Sequence, residues 1–190
     1  MKVSIDPVST MNCENCGAPL KLERERHYLF CEYCNGLYFP KESPEGLYLL
    51  GAPSQVDCPL CRKLLVLARI GHFEVLACQQ CKGLLLDMVD FLSILEYLRL
   101  KYPERRRPPQ TFDSKELARE LHCPHCASTM ETYPYGGAGN VVLDNCLKCG
   151  ILWLDYDEVS RIVQTPERVQ DFVPWLDITS IRTQSEDENE

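Results

Sequence analysis

Hydrophobic and polar positions alternate over short distances along most of this chain. Residues 27–30, 72–76 and 140–143 are aromatic or β-branched runs, and residues 36–39, 83–86 and 150–154 are apolar runs that each open on a glycine. Short runs of this kind, bounded by turn formers, predict strands. The two sets recur three times in the same order, each time preceded by an apolar residue, Leu20, Leu65 or Met130. The chain therefore reads as three copies of one unit.

Residues 88–101 follow another period. Met88, Phe91, Leu92, Leu95, Leu98 and Leu100 fall on a stripe at helical spacing, behind Asp87 as N-cap with Asp90 as its acidic partner. Asp155 and Glu158 repeat that capping pattern ahead of Val159, Ile162 and Val163. Asp113 or Ser114 can cap a helical turn running to Leu121, and Thr165 followed by Pro166 and Glu167 opens another short helix.

These patterns divide the chain. Residues 1–10 are a loose extension, 11–50 the first unit, and 51–102 the second unit with its helix. Residues 103–121 are an arginine- and proline-rich linker with a short helix, expected to be extended and exposed around Pro103, Pro108 and Pro109. Residues 122–164 are the third unit with its helix, and 165–190 a short helix and an acidic tail.

Composition adds the chemistry. All 12 cysteines of the 190 residues stand in C-x-x-C pairs. Cys13/Cys16 and Cys31/Cys34 are separated by 14 residues, Cys58/Cys61 and Cys78/Cys81 by 16, and Cys123/Cys126 and Cys146/Cys149 by 19. The gaps between these groups are longer, so the pairs are expected to close within each unit. No apolar stretch approaches the roughly 18 residues of a membrane span, and the N-terminus has no apolar signal region. A cytoplasmic chain with reduced thiols is expected, in which such pairs bind metal rather than form disulfides. Four thiolates suit tetrahedral Zn²⁺, and units this small need metal to fold. Three Zn²⁺ per chain are expected, held by all twelve cysteines. Iron in a rubredoxin-like shell uses the same four sulfurs, and spacing does not separate the two metals. Dithiol catalysis is disfavoured because these pairs flank strands rather than open helices.

The third unit carries a resemblance. Cys146, Cys149, Gly150, Trp153, Leu154, Asp155 and Glu158, preceded by Cys123, Pro124 and Cys126, resemble the transcription factor IIB-type zinc-ribbon family, with Ile151 replacing its second glycine. The second unit keeps Gly83, Leu86 and Asp87 but has Leu85 for the tryptophan; the first keeps the knuckles and Gly36. The resemblance implies a small metal-stabilised α+β fold. Its three tandem four-cysteine zinc ribbons would consist of short antiparallel strands, with short helices after the second and third. It implies no enzymatic activity.

The remaining residues are given structural roles. Trp153 should pack the third ribbon against its helix and Asp155 should cap that helix. His125 is surplus to a four-cysteine shell, and His27 and His72 sit beside the second knuckles. The stripe on residues 88–101 is core, or the contact of a homodimer. Arg105, Arg106 and Arg107 form the basic cluster of the chain. With Tyr133 and Tyr135 they are a possible nucleic-acid contact, or else a solvated linker. The net charge of −8 disfavours non-specific binding of nucleic acid. No catalytic constellation stands out, so no enzyme is expected. The leading expectation is a non-catalytic zinc protein acting as an adaptor for a protein partner, without membrane association. The alternatives are nucleic-acid or transcription-associated binding through the second ribbon and the arginine linker, and a thiol redox or metal-handling role.

Overall fold

The computed structural model describes residues 8–166, apart from 24, 27, 105 and 109. Strands β1 (Val8–Asn12), β2 (Pro19–Glu23), β3 (Tyr28–Phe30) and β4 (Leu37–Tyr38) form a four-stranded antiparallel sheet in chain order. Residues 8–10, expected in a loose extension, are thus the start of β1. A second sheet contains β5 (Leu47–Asp57), β6 (Leu64–Ile70), β7 (Phe73–Ala77), β8 (Leu84–Asp87), β9 (Glu131–Pro134), β10 (Val142–Cys146) and β11 (Ile151–Leu154). Its order is β5-β6-β7-β8-β11-β10-β9, with every neighbour antiparallel.

Strand β5 crosses the division placed between residues 50 and 51. Its pairing with β6 shifts register on both sides of Pro53; a proline lacking its N–H is tolerated because β5 is an edge strand. The buried Ser54 hydroxyl donates to the Leu65 carbonyl at 2.8 Å and holds β5 to β6 there. Gly51 and Pro53 interrupt the pattern that would have announced this strand.

The second and third ribbons share one sheet because β8 and β11 pair, with Leu86 opposite Leu152 and Leu85 opposite Trp153. Side chains on successive residues point to opposite faces, and both faces are covered. Leu84, Leu86, Leu152 and Leu154 join Phe91, Ile94, Leu95, Leu98, Val159 and Ile162 in a core beneath the helices. Leu85, Ile151 and Trp153 join Leu65, Leu67, Leu76, Leu121 and Met130 beside the cysteines on the other face. Trp153 is fully buried, but it faces away from its own helix, contrary to expectation. Its ring fills the space over Gly83 of the second ribbon, where an added Cβ would lie 2.2 Å from Trp153 Cζ2 and 2.9 Å from the Leu154 carbonyl.

Helix α1 (Met88–Lys101) follows the second ribbon, α2 (Ser114–Ala118) the linker and α3 (Glu158–Gln164) the third ribbon. Asp113 caps α2 by accepting from Lys115 N–H at 2.9 Å. The other two caps differ from expectation. Asp87 stands at the N-cap of α1 but its side chain does not cap it. The Met88 N–H instead donates to the Gly150 carbonyl at 2.9 Å, because β8–β11 pairing brings that knuckle over the helix start. The N-cap of α3 is Asp157, in a left-handed conformation. The Asp155 carboxylate accepts from Trp153 Nε1 at 2.9 Å and pairs with Arg119. Along α1, Phe91, Leu95 and Leu98 are core, but Leu92 and Leu100 are exposed; Ile94, outside the expected stripe, is fully buried. Thr165, expected to open a further helix, is the C-cap of α3, and the rest of that expected helix, from Glu167 on, lies outside the described residues. No helix among the described residues is long and apolar enough to cross a membrane.

A polar network pins the third ribbon. Arg119 bridges the buried carboxylate of Asp144 and that of Asp155. Glu158, 1% exposed, accepts from Asp155 N–H at 2.6 Å and Val142 N–H at 3.2 Å. Burial pushes the Glu158 carboxyl up to about 8, helped by Asp155 and Glu116 and opposed by those two N–H groups.

Gly83→Ala is expected to cost about 2 kcal/mol or more through overpacking against Trp153. Gly150→Ala meets open space at φ +66° and should cost only about 1 kcal/mol of backbone strain. Thermal melts of the zinc-loaded variants test this ranking. A second prediction concerns pH. A carboxyl whose folded pKa is raised contributes stability fully below its unfolded value near 4.5 and loses it as pH rises to about 8. Glu158→Gln should therefore gain on the wild type across that window, by at most about 1.4 kcal/mol per pH unit. Parallel stability curves for the two zinc-saturated chains would remove the assignment.

Candidate metal centres

All six C-x-x-C knuckles close in one way. The N–H after the second cysteine returns to the carbonyl of the first: Gly17 to Cys13, Asn35 to Cys31, Arg62 to Cys58, Lys82 to Cys78, Ala127 to Cys123 and Gly150 to Cys146, at 2.8–3.0 Å. To reach back, each of these residues takes a positive φ, between 56° and 73°. Glycine supplies that conformation freely at two positions only. Arg62, Lys82 and Ala127 adopt it at a cost of about 1–2 kcal/mol each, which metal closure of the ring offsets. In two knuckles of the second ribbon, backbone N–H groups also reach sulfur: Cys61 N to Cys58 Sγ and Cys81 N to Cys78 Sγ, both 3.4 Å. Such donors favour the thiolate.

The knuckles bring the sulfurs together as the spacing predicts. Cys13 and Cys34 Sγ lie 3.5 Å apart and Cys16 and Cys31 3.4 Å; Cys58 and Cys81 lie 3.5 Å apart and Cys61 and Cys78 3.4 Å. In the third ribbon Cys126 and Cys146 lie 3.7 Å apart. Within each quartet, all four sulfurs fall within 4.8 Å of one another. A tetrahedron with Zn–S of about 2.3 Å has edges of about 3.8 Å; a disulfide needs about 2.0 Å. The cysteines are free thiols, set at metal-ligand spacing, and the three quartets fit three Zn²⁺. Four protein donors fill each shell, so these are structural sites with no open coordination position.

In each quartet neighbouring groups draw one thiol below its ordinary range. The Asn15 side chain and the Gly36 backbone draw Cys34 down to about 6, and Ser128 does the same for Cys126. Cys78 is pushed up by burial but drawn further down, to about 7, by the Cys81 N–H and neighbouring thiols. Zinc binds thiolate and expels the remaining thiol protons from each quartet.

The other expected site residues fall outside the quartets. His125 offers its backbone N–H to Cys123 Sγ at 3.4 Å, and the donor cluster around it is made of cysteines alone. His72 stacks on Phe73 at 3.9 Å. His27 and Arg105 lie outside the described residues. Arg107 pairs with Asp157, and its N–H donates to the Gln164 carbonyl at 2.8 Å. Arg106 lines a groove beside α3. Tyr133 accepts from Asn145 Nδ2 at 3.1 Å and Tyr135 packs edge-on against Phe91. The linker, expected to be extended and exposed, is thus fastened at Arg107. One group of close acidic atoms, from Glu116, Asp155 and Glu158, was not legible in the sequence. Arg119 and backbone N–H groups neutralise it, and no spacing signals that arginine.

The three centres differ in protection. Among the described residues, the first ribbon fully buries Cys13, Leu20, Leu29 and Cys31, with Met11, Ala18, Leu22, Cys34 and Tyr38 partly buried against them, and Cys16 is exposed. The cysteines of the other two are built into the core that holds Trp153. Metal analysis should give about three zinc per chain, and a competing chelator should remove one equivalent well before the other two. Cys16→Ser should lose that equivalent while leaving the main melting transition within a few degrees. Cys58→Ser or Cys123→Ser should lower it sharply. Release of all three metals in a single step would overturn this order.

No curated protein and no solved structure matches the chain. Residues 122–165, spanning the third ribbon and its helix, match the family model described as a transcription factor zinc-finger, the transcription factor IIB-type zinc ribbon. The match covers the segment whose cysteines, Trp153 and Asp155 carry the resemblance, so the third unit is a zinc ribbon of that type and the two four-cysteine units before it fit generic ribbons.

Proposed function

We propose that this chain is a non-catalytic zinc protein that serves as an adaptor, its first ribbon presenting a docking face to a protein partner. The observation that carries the reading is a run of exposed apolar and aromatic side chains on that ribbon. Tyr33, Leu37 and Phe39 are 81, 61 and 64% exposed. Leu37 stands opposite Phe30 across the strand pair, and Phe39 packs against Tyr28 with ring centroids 5.7 Å apart. Exposed apolar side chains gathered on one small ribbon mark interaction sites, and aromatic anchors suit protein interfaces.

The metal centres support the reading indirectly. Closed four-cysteine shells leave no coordination position for a substrate, so zinc here acts on stability rather than chemistry. Each filled shell adds net negative charge to a chain already at −8, which weakens attraction to phosphate backbones. Of the described arginines in the linker, Arg107 is spent on Asp157.

The test is affinity capture from native cells with wild type and a Leu37→Glu/Phe39→Glu variant, both verified for full zinc content. Protein partners should fall at least tenfold with the variant. Salt-sensitive retention of nucleic acid, lost on neutralising Arg106 and Arg107, would replace this reading with the nucleic-acid one. Unchanged protein capture by the variant would remove the first ribbon as the docking face.

A further inference from the structure

The core beneath the helices is not filled evenly. Helix α1 packs on β8, β11 and α3, at the middle of a sheet seven strands wide. Toward β5 the same face opens into a cavity of about 360 Å³, within the roughly 300–1,000 Å³ of small-molecule sites. Leu49, Ile70, Ala77 and Leu84, from the four adjacent strands β5 to β8, line it together with Val159 of α3. All five belong to the helix-side core or pack against it, so this part of the cavity is apolar.

The polar part of the lining is sparse. Ser160 is 4% exposed, and its hydroxyl has no hydrogen-bond partner among the described residues although it lines the cavity. Buried hydroxyls are normally paired, so an unpaired one facing a cavity points to an occupant. The Ser43 hydroxyl accepts from the Glu45 and Leu47 N–H groups, both at 3.2 Å, and fixes the turn that carries Glu45 into the lining. Asp155 and Asp157 also line the cavity, but they pair with Arg119 and Arg107. That leaves Glu45 and Lys82, neither in an ion pair among the described residues, together with Cys78 of the second metal shell. A filled four-thiolate shell is net negative, so the charge balance at the cavity is negative. We propose that this cavity binds a small molecule with an apolar body and a primary ammonium group. The body lies against the strands and Val159, and the ammonium donates to Ser160 and Glu45. A carboxylate in the same place would have only the exposed Lys82 in its favour. This site is independent of the docking face on the first ribbon.

The test is a nuclear magnetic resonance titration of the zinc-loaded full chain with three matched probes: phenethylamine, phenethyl alcohol and phenylacetate. The amine should bind saturably and shift the amides of Ala77, Leu84 and Ser160. It should bind about tenfold or more tighter than the alcohol, the worth of one charge-assisted hydrogen bond, and phenylacetate should bind weakest. Glu45→Gln should remove the advantage of the amine over the alcohol with zinc content unchanged. Ala77→Leu, which adds bulk at the cavity wall, should weaken binding of the amine and the alcohol together. Absence of saturable amine binding would leave only water in the cavity and overturn the proposal. Equal affinity for amine and alcohol, tighter binding of phenylacetate, or an amine advantage that survives Glu45→Gln would do the same.

Discussion

The structure depends on the antiparallel pairing of β8 with β11. A single four-cysteine ribbon is a sheet of three or four short strands with two faces and open edges, too small to cover either face. By joining β8 to β11, the second and third ribbons close one edge of each other and build one seven-stranded sheet wide enough to carry helices on one face. The same pairing sets the Gly150 carbonyl on the first N–H of α1 and lays Trp153 over Gly83. Strand, helix cap and core packing thus hang on one register. The strands involved are apolar on both faces, the expected pattern for strands covered above and below.

Zinc and core divide the work of stabilisation differently in the two sheets. In the second and third ribbons the cysteines are part of a continuous core with Leu65, Leu76, Leu85 and Trp153, so metal and packing support one another. In the first ribbon the fully buried core among the described residues is two leucines and two cysteines, and the metal carries more of the load. Every knuckle stores left-handed backbone at the residue after its second cysteine. Where that residue is Arg62, Lys82 or Ala127 rather than glycine, the turn is held against its own preference by the ligands on either side. Partial loss of ligands therefore releases strain as well as bonds.

The first ribbon is nevertheless tied to the larger sheet and its helices. Glu42 fastens the segment after the first ribbon to the end of α1 by accepting from the Tyr48 and Tyr102 hydroxyls at 2.9 Å and pairing with Lys101. Leu22 packs against both the first-ribbon core and the core beside Trp153. The aromatic face of the first ribbon is thereby held on a fixed support, as the proposed docking role would require. The arginine linker is drawn into the support through Arg107 and Arg119, so its charge serves the fold first.

The spacing of the cysteine pairs, the strands beside them and the span of α1 were all legible along the chain, because each rests on local rules: a four-residue turn, a period of two and a period of 3.6. The resemblance of residues 146–158 likewise needed only neighbours in sequence. The rest required knowing which surfaces meet. Nothing near Trp153 says that its ring belongs to the second ribbon. Asp155 looks like a helix cap until Arg119 and Trp153 Nε1 claim its carboxylate. Leu92 and Leu100 fit the apolar stripe of α1 as well as Leu95 does, and only the position of the sheet turns them outward. Local rules determined α1, the strands beside the knuckles and the metal quartets, though not β1 or β5. Which face of each element is buried was decided by long-range strand pairing, whose partners lie far apart in the chain and leave no mark in the spacing of either one.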